Sequence, residues 1–284
     1  MLKYKIEVSL IKGARWVLGL FPIKCRFRAA EFLGILTYYL IKKRRNITYK
    51  NLNIAFPEKS AEELKKIAKA SYKNSAKNVI IPMFLNDLIK KNWIEIENVE
   101  LADIANSKGK GFILTTIHLG GVEAGFSMTD RYDVYAVFKK QKNPYLNDLM
   151  SEYREQAGAH TILKNIENDS NAKIAEVFKN KGLLVLLSDH FSDDAEITFF
   201  GRKTKANVGN LLLGIKYDVP VIFGYSVFED GKIKLRFVNE VVIEKKGKLR
   251  ETLQCNTQKL FYEYEKVISK YPEQYMWQHN RWRD

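Results

Sequence analysis

The chain has 284 residues, 46% of them apolar, which is enough for a sizeable core and excludes a disordered, collagenous or coiled-coil protein. Its two cysteines, Cys25 and Cys255, exclude a disulfide framework and a cysteine-rich zinc site. The formal net charge is +14, and most of it lies in the first 50 residues, where 12 Lys/Arg stand against 2 Glu. A basic end on a near-neutral body points to an anionic surface, either nucleic acid or anionic lipid.

At the amino end, Ile6, Leu10, Ala14, Val17, Leu18 and Phe21 recur at three- and four-residue spacing, with Lys5, Ser9, Lys12 and Arg15 off that face. This predicts an amphipathic helix lying in a membrane interface, with Trp16 near the headgroups. A second apolar block, 32–41, ends in Lys42-Lys43-Arg44-Arg45, four adjacent cations suited to an anionic leaflet. No spanning helix is expected. The longest stretch free of Asp, Glu, Lys and Arg is 111–122, against about 20 mostly apolar residues needed to cross a bilayer. Lys12 and Arg15 also interrupt any signal-peptide core, and no small-residue cleavage site follows. The basic segment carries apolar helical faces rather than the interleaved aromatic and basic residues of a nucleic-acid groove, so lipid is favoured and no nucleic-acid partner is expected. The chain divides on this reading into a membrane-associating segment, 1–45, and a catalytic domain, 46–284.

Further along, Ser60 and Glu63 form an S-x-x-E capping box that opens a long helix, expected to end near Pro82. From Trp93 the pattern changes. Short apolar runs at 112–117, 134–138, 183–187 and 219–226 alternate with helical spacing at 144–156, 172–180 and 208–216. Asp230-Gly231, between 227–229 and 232–238, signals a hairpin. A last helix carries Leu253, Leu260, Phe261, Tyr264 and Ile268 on one face. The predicted fold is α/β, with a central, mostly parallel or mixed sheet flanked by helices and a helical N-terminal part.

The four histidines are His118, His160, His190 and His279. The sequence has no H-E-x-x-H, no G-x-S-x-G and no phosphate-binding glycine loop, so zincin, nucleophile-elbow and nucleotide-binding readings lack support. His118 directly follows the predicted strand 112–117, at the carboxyl end where ligands bind in open α/β sheets. Gly120 and Gly121 let the chain turn tightly, and their amides are candidate oxyanion donors. Glu123, five residues after His118, can fold back across such a turn and orient the imidazole, making a dyad that accepts a proton. With no serine or cysteine nucleophile beside it, such a base would activate a substrate hydroxyl for direct acyl transfer.

The stretch His118-Leu119-Gly120-Gly121-Val122-Glu123 resembles the H-x4-D/E motif of lysophospholipid-acyltransferase-like enzymes. The likeness extends from Arg45 through Asn51-Leu52, Ala55-Phe56-Pro57-Glu58, Asn143-Pro144 and Arg154 to Leu187-Ser188-Asp189. Phe199-Phe200-Gly201-Arg202, Val219-Pro220-Val221 and Trp277-x-His279-x-Arg281-Trp282 continue it to the carboxyl end. Taken in order, these motifs make the chain similar to the lauroyl/myristoyl acyltransferases of lipid A biosynthesis. Two positions depart from that pattern. Gly121-Val122 stands where the family usually has Asn-Trp before the acid, and Asp189-His190 where it usually has Asp-Gln. The N-H-x-S-x-x-D and E-G-T-R motifs of the glycerophosphate-acylating branch are absent.

The resemblance implies an acyl donor, an acyl carrier protein or acyl-CoA thioester, and a hydroxyl on a lipid A precursor as acceptor. Another glycolipid or a lysolipid is the alternative acceptor. It implies His118 and Glu123 as the catalytic pair, with Arg154 stabilising an oxyanion or gripping an acceptor phosphate. Asp189, at the end of the strand 183–187, would orient the acceptor or Arg154. Gly201 and Arg202, in a strand and turn after Phe199-Phe200, would bind a phosphate. His190 and His279 are read as structural. No metal and no bound organic cofactor are expected. The implied partners are an acidic acyl carrier protein and an anionic lipid surface, and the implied location is the cytoplasmic face of a bacterial inner membrane.

Overall fold

The computed structural model describes residues 1–164 and 169–283. Four helices come first: α1 (Leu2–Gly19), α2 (Ile23–Leu40), α3 (Lys42–Ala55) and α4 (Ala61–Lys90). The capping box at α4 is formed: the Ser60 hydroxyl accepts from the Glu63 amide at 3.3 Å, and the Ser60 amide donates to Glu63 Oε2 at 2.8 Å. Pro82 does not end α4, contrary to the sequence expectation. It removes one helical donor, and Phe84 leaves helical geometry (φ −126°, ψ 15°). Burial of Ile81, Leu85 and Leu88 in the main core carries the helix past this kink.

The rest of the chain builds a seven-stranded sheet from β1 (Ile94–Glu97), β2 (Phe112–Thr116), β3 (Val134–Lys139), β4 (His160–Lys164), β5 (Leu183–Leu187), β8 (Val221–Glu229) and β9 (Lys232–Glu240). A separate hairpin pairs β6 (Ala195–Phe199) with β7 (Arg202–Ala206). The sheet order is β1-β9-β8-β2-β5-β3-β4, and every pairing is parallel except β8 with β9. Helices α5 (Glu100–Ser107), α6 (Pro144–Glu155), α7 (Asp169–Lys179), α8 (Gly209–Tyr217) and α9 (Leu249–Lys270) complete the α/β architecture, with a 3₁₀ segment over Val122–Asp130. The predicted breaks need revision here: 221–226 and 227–229 belong to the single strand β8, which starts only at Val221, after Val219-Pro220. The hairpin falls where expected, on Asp230 (φ 52°) and Gly231 (φ 76°), the left-handed pair of a tight two-residue turn. Strands β1 and β4 were not anticipated, and of the β6–β7 hairpin only a strand and turn after Phe199-Phe200 was expected. Their mixed polar and apolar residues, such as Arg202-Lys203-Thr204-Lys205-Ala206, lack a core-strand signature because they lie at a sheet edge or outside the sheet.

The amino-terminal helices pack on the body by narrow faces. Val8, Ile11 and Leu18 of α1 rest against the cluster of Ala30, Phe84, Leu149 and Tyr153. Arg15 also turns inward, donating to the Met83 carbonyl at 2.9 Å and lying 4.7 Å from the Tyr153 ring centre. In α2, Arg26 is buried on Asp87 at 2.6 Å. The predicted apolar face of α1 is thereby divided. Leu18 serves the core, while Ile6, Leu10, Val17 and Phe21 are exposed together with Trp16 and Leu20. Helix α2 adds exposed Phe32, Leu33, Leu36, Tyr39 and Leu40. Among the described residues, no helix is long and apolar enough to cross a membrane.

Candidate active site

Strand register builds the site. β2 and β5 run parallel as neighbours, with Thr116 opposite Leu187. Two residues beyond each strand end, at the same level, stand His118 and Asp189. His118 Nδ1 lies 2.7 Å from Asp189 Oδ1, and the His118 amide donates to the same oxygen at 3.2 Å. The Tyr275 hydroxyl donates to Asp189 Oδ2 at 2.9 Å. Both carboxylate oxygens are therefore committed, and the carboxylate is fully buried (0% exposed). Burial alone would raise this carboxyl. The His118 and His190 imidazoles and the Tyr275 hydroxyl outweigh it and hold Asp189 well below the usual carboxylate range. An ionised carboxylate on Nδ1 places the ring proton there and leaves Nε2 as the acceptor nitrogen of the neutral ring.

Behind the strand ends, the Ser188 hydroxyl lies 2.7 Å from Thr115 Oγ1 and 2.5 Å from the Tyr264 hydroxyl, and Asn210 donates to Thr115 Oγ1 at 2.8 Å. This buried polar chain fixes the β2–β5 seam immediately before His118 and Asp189.

Helix α4 holds the loop after His118. Asn78 donates to the Gly120 carbonyl at 2.6 Å and accepts from the Val122 amide at 2.9 Å. Asn74 donates to the Gln274 carbonyl at 2.8 Å, and Ser71 to the Tyr275 carbonyl at 2.7 Å. Gly120 adopts φ +56°, and a Cβ there would lie 2.1 Å from the Ser226 carbonyl oxygen, so only glycine fits. Its amide donates to the Gln274 carbonyl at 3.1 Å and is not free to serve an oxyanion. A Cβ on Gly121 would lie 2.7 Å from Ile233 Cγ2, which makes close packing the reason for the second glycine.

Glu123 does not meet His118. It lies in the 3₁₀ segment and pairs with Arg154 of α6, whose Nη2 and Nε approach Glu123 Oε1 at 2.6 and 3.2 Å. The guanidinium carbon sits 3.7 Å from the Phe138 ring centre. Both partners are buried. Burial raises the Glu123 carboxyl above its ordinary value, against the opposing pull of Arg154. The expected His118–Glu123 contact is thus replaced by two pairs, His118 with Asp189 and Glu123 with Arg154. Five residues after His118 the chain has already entered the 3₁₀ segment, whereas Asp189 is delivered by the neighbouring strand. Gly201 in the β6–β7 turn and Arg202 at the start of β7 are exposed, with Phe200 packed 5.6 Å from Phe56 and 6.1 Å from Trp277 between ring centres.

Three imidazoles share the site. His118 and His190 stack with centres 3.7 Å apart and planes 1° from parallel, and His279 stacks on the other face of His190 at 3.8 Å and 8°. Burial lowers His190 to about 3 and His279 to about 4, with repulsion from His118 adding to both. His118, Asp189 and His190 offer ligand atoms within 4.8 Å of one another. They are poorly shaped for a metal. Parallel stacked rings direct their lone pairs side by side rather than toward one point, and Nδ1 of His118 is already taken. Neither Tyr275 nor Asn78 was anticipated. Nothing distinguishes Tyr275 among the 15 tyrosines, but Ser71, Asn74 and Asn78 form a polar stripe at three- and four-residue spacing on a buried helix face, a visible signal.

An α/β sheet that presents a carboxylate-oriented imidazole at its strand ends, with no nucleophilic side chain bonded to it among the described residues, defines a protein equipped for proton transfer to and from a substrate group. Comparison with known proteins makes this specific. The model of the bacterial lipid A biosynthesis acyltransferases matches residues 1–284, and the chain belongs to that family. A lipid A biosynthesis palmitoleoyltransferase of Escherichia coli (strain K12) is 25% identical over 113 residues, covering 39% of this chain and 36% of the relative. A lipid A biosynthesis lauroyltransferase of the same organism is 24% identical over 145 residues, covering 49% and 47%. The aligned stretch spans less than half the length of these curated relatives.

Proposed function

We propose that this protein is a membrane-associated O-acyltransferase that moves a fatty acyl chain from an acyl carrier protein thioester to a hydroxyl of a lipid A precursor. The observation that carries the reading is the His118 imidazole held by buried Asp189 at the carboxyl ends of β2 and β5 in a chain of this family. The acceptor hydroxyl oxygen attacks the thioester carbonyl carbon while His118 Nε2 takes its proton. The tetrahedral oxyanion then collapses, the C–S bond breaks, and the imidazolium returns the proton to the departing sulfur. The products are an ester and a free thiol. Asp189 keeps the tautomer correct and stabilises the imidazolium. Glu123 and Arg154 tie the segment after His118 to α6 and so support the loop rather than the ring.

The charge layout agrees with an acidic carrier and a phosphorylated glycolipid. Lipid mass spectrometry tests the reading. Full-length protein is incubated with acyl-carrier-protein or coenzyme A thioesters of several chain lengths and a tetra-acylated lipid A precursor. One acyl mass should be added by the wild type and not by His118→Ala. Acylation of a different glycolipid or a lysolipid alone would replace the acceptor, and full activity of His118→Ala would overturn the mechanism.

The exposed apolar side chains of α1 and α2, with Lys42-Lys43-Arg44-Arg45 at the start of α3, support attachment to an anionic leaflet. The triple substitution Leu10→Ser, Trp16→Ser, Phe32→Ser changes side chains 69%, 70% and 70% exposed and leaves the core untouched. It should weaken co-sedimentation with phosphatidylglycerol vesicles by about tenfold or more, with the melting temperature unchanged. Undiminished binding would place the attachment elsewhere.

A further inference from the structure

We infer that His190 and His279 are positioning residues, forming with His118 a column of three parallel rings that fixes the plane in which His118 presents Nε2 to its substrate. This rests on the reading of His118 as the general base. A hydrogen bond at Nδ1 fixes that nitrogen but leaves the ring able to swing about the Nδ1···Oδ1 line. A flat neighbour 3.7 Å away and 1° from parallel removes that freedom. The neighbour is itself backed. His190 is sandwiched at 3.8 Å by His279, whose carbonyl accepts from Asn51 of α3 at 2.6 Å. Met276 of the same terminal segment donates its amide to the His118 carbonyl at 3.0 Å. The column therefore joins β2, β5 and the carboxyl-terminal segment, which α3 clamps from outside.

The charged and titratable groups facing the column decide where a proton goes. Among the described residues they are Asp189, Tyr275, Arg281 and Arg283, besides the three rings themselves. Asp189 is the one carboxylate among them, and its hydrogen bond goes to His118. Arg281 opposes charge on both His190 and His279, and Arg283 opposes it on His279. Nε2 of His190 and of His279 is buried without a hydrogen-bond partner, as suits rings that stay neutral. His118 is then the ring whose cation the carboxylate would stabilise during proton transfer, and the face of neutral His190 lies against it.

The test compares His190→Ala, which removes the stacked ring, with His190→Phe, which keeps a flat ring without a titrating nitrogen. Two readouts are taken on the full-length protein. The first is ¹⁵N-imidazole NMR of His118 across a pH series from about 5 to 9. The wild type should show one His118 tautomer and no His190 titration. His190→Ala should shift the His118 titration and mix its tautomers, and His190→Phe should retain the single tautomer. The second is acyl transfer, where His190→Ala should lower kcat by about tenfold or more at similar KM and move the acid limb of the pH profile, with His190→Phe recovering most of the loss. An unchanged His118 tautomer and titration in folded His190→Ala overturns the column. A shifted His118 in a protein that transfers no acyl group upholds the column and removes instead the reaction assigned to His118.

Discussion

Asp189→Asn should lower kcat by about 10⁴-fold while leaving KM and the fold nearly unchanged. Asparagine keeps the shape of the side chain and one oxygen, which can still accept from Tyr275 or from the His118 amide. Its amide nitrogen, however, can donate to His118 Nδ1. That stabilises the tautomer with its proton on Nε2, the nitrogen that accepts one in the proposed mechanism. The loss is therefore electronic rather than structural, and it should appear in turnover at saturating acceptor, with thermal melting as the control. Glu123→Gln provides the contrast. If Asp189 orients the ring, the glutamine variant, read at equal folded fraction, should lose no more than about tenfold in kcat, because Glu123 acts on Arg154. A small effect at Asp189 with a large one at Glu123 would return the orienting role to the residue that the H-x4-E spacing suggests.

That contrast shows where sequence reading reaches its limit. The strand that ends before His118, the tight turn through Gly120 and the hairpin at Asp230-Gly231 are local features, set by apolar runs and left-handed glycines, and they were legible. The strand end at Leu187 was also legible, so both members of the true pair were recognised as lying at the carboxyl edge. What spacing along the chain does not encode is which strands are neighbours. β2 and β5 are separated in sequence by β3 and β4 yet lie side by side, and only that adjacency brings residue 118 opposite residue 189. The kink at Pro82 was misread for a similar reason. Proline reports a lost hydrogen bond, while the burial that carries α4 onward comes from residues distant in sequence. The imidazole column joins three segments and was invisible from any one of them. His190 and His279 were each readable as structural, and nothing along the chain shows that they stack on one another and on His118.

Arg154→Ala should cost about 3–5 kcal/mol of stability, because it leaves the buried Glu123 carboxylate without its partner. The guanidinium supplies both the compensating charge and a face against Phe138, so alanine also opens space beneath the 3₁₀ segment. The sign of the pH dependence distinguishes this from simple loss of packing. Burial already raises Glu123, and removing Arg154 takes away the opposing attraction, so its folded-state value rises further. A carboxyl raised in the folded state binds a proton more readily there than in the unfolded chain. Stability is then retained below the unfolded value of about 4.3 and lost as pH rises through the folded one. The deficit of Arg154→Ala relative to wild type should therefore widen from about pH 5 to pH 8 in urea titrations. A cavity alone would give a deficit independent of pH. Replacing both partners, Glu123→Leu with Arg154→Met, removes the unpaired charge and should restore much of the lost stability, since a buried ion pair is often matched by well-packed apolar residues. If the double variant is instead as unstable as Arg154→Ala, the pair's contribution is the packing of its side chains. The distinction matters for the site, because the segment joined to α6 by this pair begins five residues after His118.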